Sequence, residues 1–511
     1  MAFTTNIIVA YTSHNYGIGI NGKLPWKLPN ELKEFKLLTI SPQLQTSSQI
    51  QYINAIVMGR KTWESMGRRL LPERINIIIS NNDAFEFNEY DKNYDNPFIP
   101  IFSSWDKYEE SLGNYLLNIN KIYYNKKVFI IGQIFIIGGA SIYKLALETK
   151  CIDNIYTTEI YDKSIICDTF YPIKLQENIS STYKLSNVSK FHFENNIYYR
   201  YLHYYNTISY LNKSIKIWNN TEENAYLTIM RHICDNGVIR NDRTKTGTKS
   251  SFGHQLRYNL RDTFPLTTTK SSFLRGIFEE LMLYIRGYTD NSILQQKNIH
   301  IWDGNTSRDF LDKCGLQDYP EGDMGETYGF NMRHYGGTYI NCKTIYSATE
   351  GYDQLSNVIN LLKTDPTSRR ILINLWNPET QHKAALPSCL CQYQFYVNTE
   401  TNELSLQIYI RSSDYFLANN WNTCTGALFV NLLCNTTGLT HLIPGDLVVI
   451  TGDTHIYLNH LKQVDDNLSR QPYPYPKLII KKQKAITEFE WIDIELLGYK
   501  SHPKIIAEMA V

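Results

Sequence analysis

With 511 residues the chain exceeds what one hydrophobic core ordinarily organises, so at least two domains are expected. Its 43% hydrophobic and 20% charged residues are those of a globular protein, and a formal net charge of +1 excludes the uniformly basic surface that a nucleic-acid partner requires. No basic segment precedes the apolar Ile7-Ile8-Val9-Ala10 run and no stretch approaches the roughly 20 apolar residues of a membrane span, so a soluble cytoplasmic protein is expected.

In chain order, short apolar runs at 6–10, 55–58, 75–79 and 128–137 alternate with helical patterns and read as buried strands of an α/β sheet. The Asn- and Tyr-rich stretch 81–96 reads as a loop. Gly17-Ile18-Gly19-Ile20-Asn21-Gly22 fits a GxGxxG pattern, but Pro25 and Pro29 follow closely. A dinucleotide fingerprint must open a helix, so these glycines read as a loop. The strand ending at Met58 runs into Gly59-Arg60-Lys61-Thr62-Trp63, where free N–H groups and two cations suit a phosphate. A basic helix start is the plain alternative. Ile134 to Ile137 leads to Gly138-Gly139-Ala140-Ser141 and a helical run, a second strand-glycine-helix junction. Two such junctions suggest an extended phosphorylated cofactor.

Near 207–221 the pattern lapses into Asn, Ser and Lys, which marks a linker between a domain at 1–206 and another at 222–511. The second domain mixes helical segments (222–232, 273–286) with strand runs (371–375, 404–410, 447–450), an α+β pattern. No fixed-period repeat relates the halves. Nine cysteines lack paired spacing and read as thiols rather than a disulfide framework. Cys389, in Leu386-Pro387-Ser388-Cys389, gains interest from arginines in separate motifs: Arg243, Arg369-Arg370 and Arg411. Such a cluster clamps a nucleotide phosphate and favours a thiolate nearby; alone, a cysteine is ordinary packing.

The glycine loop with Leu24-Pro25-Trp26, the Gly59 to Trp63 turn, Arg74-Ile75-Asn76, Gly138 to Tyr143 and Asp168 to Pro172 together resemble dihydrofolate reductase. The resemblance implies a mostly parallel sheet with flanking helices and an NADPH site at Ala10, Ile18, Gly19, Gly22, Gly59, Arg60, Lys61, Thr62, Ser80, Gly138, Gly139, Ala140, Ser141, Ile142 and Tyr143. Lys61, with Arg60, would meet the 2′-phosphate, the more so because Asn81 and Ser104 stand where vertebrate-type enzymes carry cations. A pterin needs one carboxylate in an apolar pocket, and Glu31 follows Leu-Pro-Trp at the family's interval, with Leu32 and Phe35 expected to desolvate it. Ile8, Val9, Leu24, Phe35, Met66, Leu71, Ile137, Tyr143 and Thr158 would complete the dihydrofolate pocket, and Arg74 would pair with the glutamate tail.

The second half resembles thymidylate synthase from Glu222 to Val511, so the whole resembles the bifunctional dihydrofolate reductase-thymidylate synthase of protozoa and plants. By that resemblance Cys389 adds to dUMP, Glu280 is the relay acid/base, Tyr328 assists proton removal, and Asp414 and Asn422 hold base and folate. Arg243, Arg369, Arg370, Gln394, Arg411, Ser412, His455 and Tyr457 would contact dUMP, and Ile301, Trp302, Asn305 and Ala510 the 5,10-methylenetetrahydrofolate. Arg369 and Arg370 would reach across a two-fold interface, which implies a homodimer through the synthase domain. No metal is expected. Leu390, Ile410, Asn420 and Gly426 depart from the synthase pattern, which carries His, Gln, Pro and Tyr there. Two readings therefore stand at this point: two active enzymes, or an active reductase whose synthase half is mainly a dimerisation and ligand-binding module.

Overall fold

The computed structural model describes residues 4–40, 50–80, 101–102, 122–124, 127–148, 152–174, 182–209, 217–241 and 246–508. The stretch 81–96, Asn81, Ser104, Arg243 and Ala510 thus lie outside the described residues. Two compact units, Met1–Trp218 and Asn219–Val511, make up the chain.

The N-terminal unit is built on a ten-stranded mixed sheet. Its strands are β1 (Thr4–Thr12), β3 (Ile50–Gly59), β4 (Arg74–Ile79), β5 (Ile101–Phe102), β6 (Ile122–Tyr124), β7 (Lys127–Gly138), β8 (Asn154–Tyr161), β10 (Tyr183–Val188), β11 (His192–Glu194) and β12 (Ile197–Asn206). The main order is β10-β12-β8-β1-β7-β3-β4-β5, with β8, β1, β7, β3, β4 and β5 running parallel and β12 and β10 antiparallel at one edge. Parallel strands covered on both faces are mostly apolar, and all six residues of β4 are buried: four isoleucines, with Arg74 and Asn76 held by hydrogen bonds. The GxGxxG stretch forms β2 (Gly17–Gly19), paired with β9 (Thr169–Phe170), then a turn at Ile20 and Lys23. It opens no helix. Helices Pro29–Thr39, Arg60–Ser65 and Ala140–Glu148 pack around the sheet; the last buries Ile142, Tyr143, Ala146 and Leu147 along one stripe.

The C-terminal unit has a six-stranded sheet in the order β13 (Val238–Arg240), β14 (Thr248–Asn259), β18 (Ile443–Tyr457), β17 (Glu403–Asp414), β16 (Leu390–Asn398), β15 (Leu372–Asn374). Only β17 and β18 are parallel neighbours. Two helices form its centre. Leu274–Ile285 is buried at every residue except Arg275, and Asn419–Cys434 at every residue except Trp421 and Asn422. A helix apolar all round must be enclosed, so the positions that escape enclosure show where an opening lies.

Candidate active sites

A cavity of about 1050 Å³ opens in the N-terminal unit. Every expected cofactor residue lines it: Ala10, Ile18, Gly19, Gly22, Gly59, Arg60, Lys61, Thr62, Ser80, and Gly138 through Tyr143. Of the expected dihydrofolate residues, Ile8, Val9, Leu24, Glu31, Phe35, Met66, Ile137 and Tyr143 also line it, whereas Leu71, Arg74 and Thr158 do not. Leu71 packs against the cluster of Ile56, Met58, Trp63, Ile78 and Phe135, and Arg74 is buried, its Nε donating to the Pro72 carbonyl at 2.9 Å and one terminal nitrogen to Thr39 Oγ1 at 2.6 Å.

The cavity's glycines are needed for room. At Gly138, with φ +123° in a cis peptide to Gly139, a Cβ would meet the Tyr143 ring at 3.2 Å; at Gly59 it would meet Ile142 Cγ1 at 3.1 Å. Side chains there would press on the first residues of helix Ala140–Glu148, so the glycines let its N-terminus sit close to the strand ends, an arrangement that fits a dinucleotide phosphate. Arg60 is engaged by Glu64 at 2.7 Å, while Lys61 is exposed and has no ion-pair partner among the described residues. Lys61 is thus a cation available for a phosphate, as is the exposed Lys23 in the same lining.

Glu31 lies in the first turn of helix Pro29–Thr39, and Thr158 Oγ1 donates to its Oε1 at 3.2 Å. Burial pushes its carboxyl up to about 7, with the Thr158 hydrogen bond opposing and nearby Glu194 adding to the rise. Leu32 contributes less to that burial than expected: it borders the cavity but is 51% exposed. Tyr143, held by donation to the Ile8 carbonyl at 2.8 Å, closes the floor. Sequence reasoning missed Lys23, Ile79, Leu145, Asp168 and Thr169 in the lining. Asp168 could have been found from the Asp168-Thr169-Phe170 motif; it accepts the Asn21 N–H at 2.7 Å and fastens the glycine loop.

The C-terminal cavity, about 920 Å³, collects Glu280, Ile301, Trp302, Asn305, Tyr328, Cys389, Arg411, Ser412, Asp414, Asn422, His455 and Tyr457 from sequence-remote elements. Cys389 sits just before β16. Its backbone N–H donates to the Tyr328 hydroxyl at 2.8 Å, and Arg411 donates to the carbonyls of Ser388 and Pro387, each at 3.0 Å. The guanidinium, stacked over Trp376 at 4.7 Å, therefore fixes the segment that carries the thiol. Glu280 is buried, and its oxygens accept the indole N–H groups of Trp302 at 2.7 Å and Trp421 at 2.6 Å. Burial raises its carboxyl while those donors hold it down. Burial likewise keeps Tyr328 protonated, so its hydroxyl has a proton to donate.

Arg369, Arg370 and Gln394 are not brought into this cavity; all three side chains are exposed. Gln394 falls on the outward face of β16 because strand neighbours alternate, and Tyr393 and Phe395 take the core face. Lys270 was missed. Burial lowers its ammonium to about 8, Asp414 opposing, and it donates to the Phe416 carbonyl at the cavity wall. The Thr267-Thr268-Thr269-Lys270 run was the available signal: buried Glu223 accepts from both backbone N–H groups and both hydroxyls of Thr268 and Thr269, which locks the turn presenting Lys270.

A dihydrofolate reductase family model matches residues 4–206, and a thymidylate synthase model matches residues 224–511. The chain is 37% identical to the bifunctional dihydrofolate reductase-thymidylate synthase of Zea mays, across 99% of this chain and 96% of that protein. The proteins of the same description from Paramecium tetraurelia and Leishmania major are 37% and 35% identical, across 99% of this chain and 99% and 95% of theirs. The chain belongs to this bifunctional family.

Against the family pattern, the four departures are accommodated in packing. Leu390 and Ile410 are register partners on β16 and β17, both buried, so one apolar pair stands where the pattern has His and Gln. Asn420 accepts from Thr267 Oγ1 at 3.0 Å and donates to the Pro265 carbonyl at 2.9 Å, which ties helix Asn419–Cys434 to the Lys270 turn. A Cβ on Gly426 would already lie 3.0 Å from Leu447 Cδ1, so the pattern's Tyr would need the sheet side chains to move.

Proposed function

We infer that this chain is a bifunctional enzyme: its N-terminal unit reduces dihydrofolate to tetrahydrofolate with NADPH, and its C-terminal unit methylates dUMP to dTMP using 5,10-methylenetetrahydrofolate. The observation that carries the inference is a cavity in each unit, each lined by a different set of candidate catalytic residues, in a chain similar over almost its full length to bifunctional relatives. The working limits are 1–206 for the reductase, 207–221 for the linker and 222–511 for the synthase.

In the reductase, Glu31 accepts the adjacent N–H donors of the pterin and supplies a proton toward N5. Its raised pKa is what permits both tasks near neutrality. Bound NADPH supplies the hydride. Gly59 and Gly138-Gly139 admit its phosphates, with Lys61 as the charge on the 2′-phosphate. In the synthase, the Cys389 thiolate adds to C6 of the uracil, Asn422 and Asp414 hold the base, and His455 and Tyr457 hold the ribose. Glu280 relays protons through water, and Tyr328, beside the nucleophile, assists proton removal from C5 as a hydrogen-bonding hydroxyl. Trp302 and Asn305 face the folate.

The module reading of the synthase half is not favoured. The departures leave Cys389, Arg411, Glu280 and Asn422 gathered around one cavity.

A homodimer with shared synthase sites belongs to the same proposal. Arg369 and Arg370 are exposed outside their own cavity, and the outer sheet face carries Gln394, Tyr396 (68% exposed), Gln407 and Tyr409, an apolar-polar surface suited to a second copy. A cytoplasmic location is also proposed. Among the described residues no disulfide forms, as a reducing compartment requires; cell fractionation tests it. No described helix is long and apolar enough to cross a membrane.

The decisive experiment measures NADPH oxidation with dihydrofolate and tritium release from 5-labelled dUMP on one preparation. Both activities are expected; an intact protein lacking either would overturn the bifunctional reading.

A further inference from the structure

Glu280 is held by two indoles from different parts of the chain. Trp302 donates to Oε1 and Trp421 to Oε2. Trp421 is one of only two residues on helix Asn419–Cys434 that are not fully enclosed; the other is Asn422, next to it, and both border the cavity. The indole also occupies a prepared slot. Gly276 lies one turn before Glu280 on helix Leu274–Ile285, and a Cβ there would come within 2.8 Å of Trp421 Cη2 and 2.6 Å of the Phe273 ring. Absence of a side chain at 276 is therefore what lets the ring reach the carboxylate of residue 280.

Resting on the synthase reading of this unit, we propose that Trp421 is a positioning residue for the methylation of dUMP: its indole N–H, seated over Gly276, fixes Oε2 of Glu280 and so orients the relay carboxylate. Indole nitrogen donates only, so Trp421 cannot itself pass a proton. It takes one lone pair of Oε2, as Trp302 takes one of Oε1. The Tyr284 hydroxyl also hydrogen-bonds to Glu280 from its own helix, and together these donors hold the carboxylate in a single orientation. Among the described residues, titratable groups that interact with Glu280 are Tyr284 on its own helix, Tyr328 from helix Tyr328–Arg333, and Tyr393 from β16. All three are raised by burial and stay neutral in the working range.

The test is W421F, which keeps an aromatic ring and removes the N–H, in the full-length protein. The kcat for dTMP formation is expected to fall about tenfold or more, with the KM for dUMP changed less than about threefold. Loss of a donor to the charged form favours the neutral acid, so the limb of the kcat–pH profile that reports Glu280 moves to higher pH, by about one unit. G276A, which displaces the ring without altering Trp421, should shift the profile the same way and decides the matter if W421F does not fold. Unchanged dihydrofolate reduction and an unchanged melting curve identify a folded variant. A folded variant whose kcat–pH profile superimposes on the parent, or whose loss is confined to KM, overturns the proposal. A parent protein that makes no dTMP overturns the synthase reading instead.

Discussion

The two buried acids, Glu31 and Glu280, start from the same desolvation and are finished differently. Among the described residues Glu31 has one side-chain donor, the neutral Thr158, and a like charge nearby in Glu194, so it is left close to half-protonated at neutrality. Glu280 has an indole N–H on each oxygen, which offsets part of the burial and restricts rotation. In the proposed roles, one acid is arranged to hold or release a proton, the other to stand in a fixed orientation while protons pass. Burial alone does not specify a carboxylate's role; the donors around it do.

The largest effect that separates the two sites is removal of the proposed synthase nucleophile. Cys389→Ser should depress dTMP formation by more than about 1000-fold, with NADPH-dependent dihydrofolate reduction unchanged in a spectrophotometric assay. Glu31→Gln is the mirror experiment: reduction should fall roughly 100- to 10,000-fold while tritium release from labelled dUMP persists.

The dimer proposal can be broken by mixing two dead proteins. Cys389→Ser combined with an Arg369→Ala/Arg370→Ala double variant should regain about a quarter of parental dTMP formation after subunit exchange, because half the dimers are mixed and each holds one complete site. No recovery, with mixed dimers demonstrated by differential tagging, would mean that each site uses its own subunit's arginines.

The state of Glu31 also predicts a stability change. Its carboxyl, near 4.5 when unfolded, is raised to about 7 in the fold, so the neutral acid's stabilisation is fully present below pH 4.5 and is lost as pH rises through 7. Glu31→Gln should therefore stabilise the N-terminal unit at pH 8 by up to about 3 kcal/mol and give almost nothing at pH 4.5, read as the pH dependence of its melting transition. A gain independent of pH would contradict the assignment. The smallest effect concerns Leu390 and Ile410. Leu390→His alone buries an imidazole against an isoleucine and should cost about 1–3 kcal/mol; Ile410→Gln added to it should recover part of that, giving a coupling of about 1 kcal/mol in a double-mutant cycle.

Much of this was legible in one dimension. Apolar runs marked the central strands because strands buried on both faces cannot alternate, and the strand-glycine-helix junctions and the Leu-Pro-Trp and Pro-Ser-Cys segments are contiguous. Most candidate residues drawn from those motifs line one cavity or the other. Residues whose role depends on which way a strand side chain points were less accessible. Gln394 follows the nucleophile segment closely, yet the pleat turns it outward.

What the sequence by itself determined was the chemistry available: a carboxylate after Leu-Pro-Trp, a cysteine after Pro-Ser, glycines where chain must pass close to chain. Only the tertiary structure decided how those groups are tuned. Thr158 is 127 residues from Glu31, Trp421 is 141 from Glu280, and Leu390 faces Ile410 only through the register of β16 against β17. Hydrogen bonds and packing between remote residues leave no local periodicity, so the donors that distinguish Glu31 from Glu280 emerge only when the chain is folded.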